Sequence, residues 1–171
     1  MTGHLRRLTA AIFALLILAH ASFAGEWTDG DLTVLWEDSP DSAAAVNQQF
    51  DATATGIYDP NLPAGTEWEY STVDIEFEWE VEPESDGSAT PRSREWEDGD
   101  PGQARCKSTA DIVFSVVSSQ AQDKTVRARA HVTGTILDYG DDGEKGTGDD
   151  VSYTIDEWAS ASRDITVFDV V

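Results

Sequence analysis

Val73, Ile75, Phe77, Trp79 and Val81 alternate strictly with Asp74, Glu76, Glu78, Glu80 and Glu82. A period of two places the apolar set on one face of a strand and the five carboxylates on the other; a helix would scatter both sets around its axis. Val126, Ala128, Ala130 and Val132 alternate in the same way with Arg127, Arg129, His131 and Thr133. Ala110, Ile112, Phe114 and Val116 alternate with Asp111, Val113, Ser115 and Val117. Weaker strands are expected at 32–36, 48–57, 151–158 and 163–170, where β-branched and aromatic residues gather. Turn signals separate them: Asp-Ser-Pro-Asp at 38–41, Asp-Pro-Asn-Leu-Pro at 59–63, a small polar stretch at 84–91, Asp-Gly-Asp-Pro-Gly at 98–102 and a Gly/Asp-rich run at 138–150. The one helical candidate is residues 42–49. Roughly seven strands with no firm helix predict an all-β fold, an antiparallel immunoglobulin-like β-sandwich.

The N-terminus has a different character. Arg6 and Arg7 precede an apolar stretch from Ala10 to Ala19, and Ser22-Phe23-Ala24 supplies small residues for a signal peptidase. The expected organisation is a secretory signal at 1–24 and a single domain at 25–171. The apolar stretch is too short to span a bilayer, and no second one follows, so no membrane insertion is expected after cleavage. The expected destination is outside the cytoplasm, extracellular or on the cell surface, with the periplasm as the other export compartment.

Charge narrows the partners. The chain of 171 residues carries 33 acidic and 11 basic residues, a formal net of −22, and the signal segment holds two of the basic ones and no acidic one. Such an acidic chain repels nucleic acid and anionic lipid. The single cysteine excludes an internal disulfide and a cysteine-based zinc site. Beyond the signal, the only histidine is His131, set among arginines, which is a poor setting for a general base. Carboxylate pairs are too numerous in this chain to mark a glycosidase. No enzymatic activity is expected. Cys106 lies between Arg105 and Lys107, which would activate an exposed thiol, but its parity with Ala110 and Ile112 places it on the buried face.

The run at 138–150 is the best site candidate. It holds six acids and four glycines, which suits the hard oxygen donors and flexible backbone that Ca²⁺ requires. The candidate ligands are Asp138, Asp141, Asp142, Asp149 and Asp150. A solvated acidic hairpin loop is the equal alternative. The five-carboxylate stripe of 74–82 is expected to pair antiparallel with the 125–137 strand, because Arg127, Arg129 and His131 form the only basic cluster on a strand. Five of the six tryptophans follow a glutamate: Trp27, Trp68, Trp79, Trp96 and Trp158. Trp79 has core parity. Exposed members of the set beside acids would suit sugar stacking, the alternative function being a carbohydrate-binding module with structural calcium.

Phe77-Glu-Trp79 on a central strand and Asp164-Ile-Thr-Val167 on the last resemble bacterial extracellular immunoglobulin-like domains of the PKD type. The Gly/Asp loop followed by Val151-Ser-Tyr-Thr-Ile155 is similar to hairpins of bacterial surface proteins. The resemblance spans about residues 30–171. It implies adhesion, protein interaction or scaffolding, with a protein or glycan partner at the cell surface, and brings no catalytic residues.

Overall fold

The computed structural model describes residues 24–26, 30–38, 43–62, 67–115 and 122–168. The signal segment up to Phe23, together with Trp27, Val116 and Val117, therefore lies outside the described residues. Among the described residues nine strands follow in chain order: β1 (Ala24–Glu26), β2 (Asp31–Asp38), β3 (Ala43–Ala45), β4 (Gln49–Asp59), β5 (Trp68–Glu82), β6 (Gly87–Glu97), β7 (Ala104–Phe114), β8 (Gln122–Asp138) and β9 (Val151–Phe168). One sheet runs β1-β9-β8-β5 with β3 also on β9; the other runs β2-β4-β7-β6. The chain is an all-β sandwich, mostly antiparallel.

The two sheets share their first strand track. β1 pairs parallel with β9 at Ser152–Thr154 and β3 pairs parallel with it at Thr166–Phe168, while β2 between them pairs antiparallel with β4 in the other sheet. The track thus crosses between sheets twice and closes one flank of the sandwich.

The interior follows the alternation. Ala104, Cys106, Ser108, Ala110, Ile112 and Phe114 of β7 and Val126, Ala128, Ala130 and Val132 of β8 are all buried between the sheets. Between these small residues sit a few large ones. Trp79 meets Trp36 edge-on with ring centroids 5.7 Å apart, and its indole nitrogen donates to the Ser108 hydroxyl at 3.0 Å. Burying a tryptophan in this way satisfies its one polar atom.

β5 and β8 are antiparallel neighbours over their whole length, with Glu76 opposite His131, Glu78 opposite Arg129 and Glu80 opposite Arg127. The expected pairing of the acidic stripe is therefore observed. Arg127 reaches Glu82 at 2.7 Å and Glu80 at 3.6 Å; Arg129 reaches Glu78 at 3.1 Å and Glu80 at 3.5 Å. A bulge between Tyr70 and Thr72 presses the Thr72 carbonyl against Gly134, where a Cβ would lie 2.3 Å from that oxygen. Only glycine fits there.

Three expectations need correction. The helical candidate at 42–49 is a short strand, β3, followed by a turn in which Asn47 takes a φ of 59°. The polar stretch at 84–91 is a single 3₁₀ turn (Glu84–Asp86) leading into β6, whose residues are mostly exposed, with Ala89 half-buried against the core. With no fully buried residue, β6 has no apolar period to read. The two weak strands at 151–158 and 163–170 are one, β9, joined through Ala159-Ser160-Ala161-Ser162, which pairs with β8 throughout.

Candidate functional site

The 138–150 run is the loop of the β8–β9 hairpin. Its carboxylates organise its own backbone. Gly140 N–H donates to Asp138 Oδ1 at 3.0 Å, Asp141 N–H to Asp149 Oδ2 at 3.0 Å, Glu144 N–H to Asp142 Oδ1 at 2.8 Å and Gly146 N–H to Asp150 Oδ2 at 2.7 Å. Asp142, Asp149 and Asp150 converge on the Thr147 hydroxyl, which lies 3.2, 2.7 and 3.3 Å from one oxygen of each. That hydroxyl holds the Asp149 carboxyl below its usual range, with the loop N–H groups adding to the effect. Asp138 sits at the strand end and Asp141 points its main chain, not its carboxylate, into this network. Among the described residues, no three His, Cys, Asp or Glu side chains gather into a group that could hold a metal ion. Sequence reasoning misses Thr147, the hub; its one signal is a lone hydroxyl between two glycines in an acidic run.

The loop is tied to the start of β5. Tyr139 N–H donates to the Glu67 carbonyl at 3.0 Å, and Lys145 pairs with Glu69. Beside it lies an open cleft of about 420 Å³ lined by Glu67, Trp68, Glu69, Tyr70, Pro101 and Gly102. Trp68 and Tyr70 meet edge to face with centroids 5.2 Å apart. The Tyr70 hydroxyl donates to the Gly102 carbonyl at 2.8 Å. Gly102 has a φ of 89°, and a Cβ there would stand 2.9 Å from the Trp68 ring, so glycine sets the width of the cleft.

A second place is the outer face of the β5–β8–β9 sheet. Trp158, 50% exposed, lies opposite His131, and the two rings stack at 4.0 Å with 7° between planes. The Arg129 guanidinium stands 4.9 Å from the indole centroid. His131 Nε2 is 2.6 Å from Asp156 Oδ1. The histidine is thus committed to a carboxylate and an indole, in a cross-strand role, and the sequence marks it only as part of a basic cluster.

Two acidic groups of the interior bear on possible chemistry, a thiol and a carboxyl. Cys106 is fully buried, and burial pushes its thiol up to about 11, which leaves it a protonated core residue. Glu157 lies near Tyr58 and Asp31, and its Oε1 and the Tyr58 hydroxyl are both buried with no cation beside them. Burial raises the Glu157 carboxyl above its usual range, and the charge of Asp31 adds to the rise.

No family model matches this chain, and no curated protein matches it in sequence.

Proposed function

We propose that the protein is an exported immunoglobulin-like domain of the PKD type that works by binding: adhesion, protein interaction or scaffolding at or outside the cell surface. The observation that carries this reading is the half-exposed Trp158, held rigidly by the His131 stack and the Arg129 cation on a broad strand surface. Tryptophan and arginine presented together on a fixed backbone are the side chains that dominate protein interfaces, because they bury much area at little cost in rotamer entropy. The β1-β2-β3 track, shared by both sheets, supports the immunoglobulin-like part of the reading. Chemical cross-linking on producing cells tests it. A discrete cross-linked species, weakened in Trp158→Ala, is the expected result. A protein that stays free and monomeric on intact cells overturns the reading.

A specific observation favours one second reading, a carbohydrate-binding module. The Trp68–Tyr70 cleft combines aromatic rings with the Glu67 and Glu69 carboxylates, which suits the apolar faces and hydroxyls of a sugar. In this reading Ca²⁺ belongs to the 138–150 loop next door. To take the ion, Asp142, Asp149 and Asp150 trade the Thr147 hydroxyl and loop N–H groups for it.

A further inference from the structure

One flank of the sandwich is closed by the β1-β2-β3 track; along the other, β5 and β6 come close without main-chain pairing. β5 ends one sheet and β6 the other, each paired on a single edge among the described residues. Between them lies an open cleft of about 420 Å³ whose lining includes Glu76 and Phe77 of β5, Pro91, Arg92 and Arg94 of β6, and Ser108. Arg94 donates to the Ile75 carbonyl at 3.3 Å, which shows that this carbonyl faces the open flank. Main-chain groups of alternate residues point to the same edge of a strand. The N–H and carbonyl of Phe77, two residues on, therefore also face the cleft, beside its half-buried ring.

Charge identifies the occupant. The two cations in the cleft are already neutralised, Arg92 by Asp51 and Asp111, Arg94 by Asp74. Glu76 at the rim is exposed, and its cross-strand neighbour His131 is taken by Asp156. The flank therefore offers an apolar floor, strand-edge main chain and an uncompensated carboxylate. A second copy of a chain with net charge −22 is repelled from such a rim. Glu76, His131 and Trp158 also stand in one transverse row, so a strand added at the β5 edge continues the face that carries Trp158. Resting on the binding-domain reading above, we propose that this cleft docks an extended cationic segment of a partner protein. The segment adds along the β5 edge, lays an apolar side chain on Phe77 and Pro91, and sets a lysine or arginine against Glu76.

The test uses the exported protein and three short peptides: alternating Val-Lys, alternating Gly-Lys of equal charge, and alternating Val-Glu. Calorimetry gives affinities, amide chemical shifts locate the site, and sedimentation reports the oligomeric state. The expected result is binding of Val-Lys alone, shifts confined to Ile75–Trp79 and the facing part of β6, and about a fivefold loss in Glu76→Lys, the scale of one lost charge contact. Gly-Lys binding as tightly as Val-Lys, shifts elsewhere, an unaffected Glu76→Lys variant, or self-association in place of a complex each overturn it. Cross-linking to cells that persists in Glu76→Lys while the peptide fails to bind removes the cleft alone; loss of all cross-linking in the wild-type protein removes the wider reading.

Discussion

Glu157 is the residue most at odds with its surroundings. Glu78 and Glu80 of β5 lie on the outer face and meet arginines, but Glu157 turns inward toward Tyr58, close to another acid, Asp31. A buried carboxylate without a cation costs more than a neutral amide of the same shape. Its folded-state value is raised, so the folded chain binds this proton more tightly than the unfolded chain does. The linkage then penalises folding above the unfolded value and relieves it as the pH falls through the folded one. Glu157→Gln keeps an acceptor at the same place and removes the charge. The expected outcome is a stabilisation on the order of 1 kcal/mol near neutral pH, the scale of an unsatisfied buried polar group. The gain should shrink as the pH falls through the raised folded value and be gone below about 4.5, where the wild-type carboxyl is protonated in both states. Urea unfolding of both proteins across that range checks the sign; a substitution that destabilises at every pH would show that the carboxylate is satisfied.

Among the elements, the strands that announce themselves are those with one dry and one wet face. β5, β7 and β8 alternate because their inner residues fill the core and their outer ones meet solvent or each other's charges. β6 is largely exposed, and β9 reverses the expected polarity at inward Glu157 and outward Trp158, so neither reads as one clean apolar-polar strand, and main-chain pairing to a long neighbour holds each in place. The acid-rich hairpin loop was legible from composition, whereas its hub Thr147 and the β5–β6 cleft were not. The cleft joins Phe77 to Pro91 and Arg94 through the edges of two sheets, a proximity that no spacing along the chain encodes. The outer face of the second sheet has its own device. Glu37 of β2, Glu97 of β6, and Arg105 and Lys107 of β7 form a closed ring of ion pairs at 2.8–3.2 Å, and the Thr55 hydroxyl of β4 donates to Glu37 at 2.7 Å. All four strands are thereby stitched together. The partners hold both carboxyls below their usual range, so the contribution is present above the unfolded value and lost as pH falls through the folded one. Lys107→Met should lower the urea midpoint near neutral pH and leave it unchanged near pH 2. A cost that persists in acid would assign the loss to packing of the lysine stem.

For the whole molecule, two electrostatic effects oppose one another. All three lysines and Arg92, Arg94, Arg105, Arg127 and Arg129 stand in ion pairs, which salt weakens. Each exposed pair is worth only about 0.2–1 kcal/mol. Against them stands the mutual repulsion of a net charge of −22, which grows with the square of that charge and is relieved by the same salt. The repulsion outweighs the pairs, so raising NaCl from low ionic strength should stabilise the fold. A gain of about 2 kcal/mol would move Tm by about 4–8 °C for a chain of this size. This general response is the baseline for the calcium reading of the 138–150 loop. MgCl₂ and CaCl₂ at matched ionic strength supply the same screening, so a bound Ca²⁺ must add a further rise in Tm that Mg²⁺ does not reproduce. That increment should vanish in Asp142→Asn and Asp149→Asn, whose carboxylates meet at Thr147, and survive in Asp141→Asn, whose carboxylate does not. Equal melting temperatures in the three salts would leave the loop as a hairpin closed by its own N–H groups and one threonine hydroxyl.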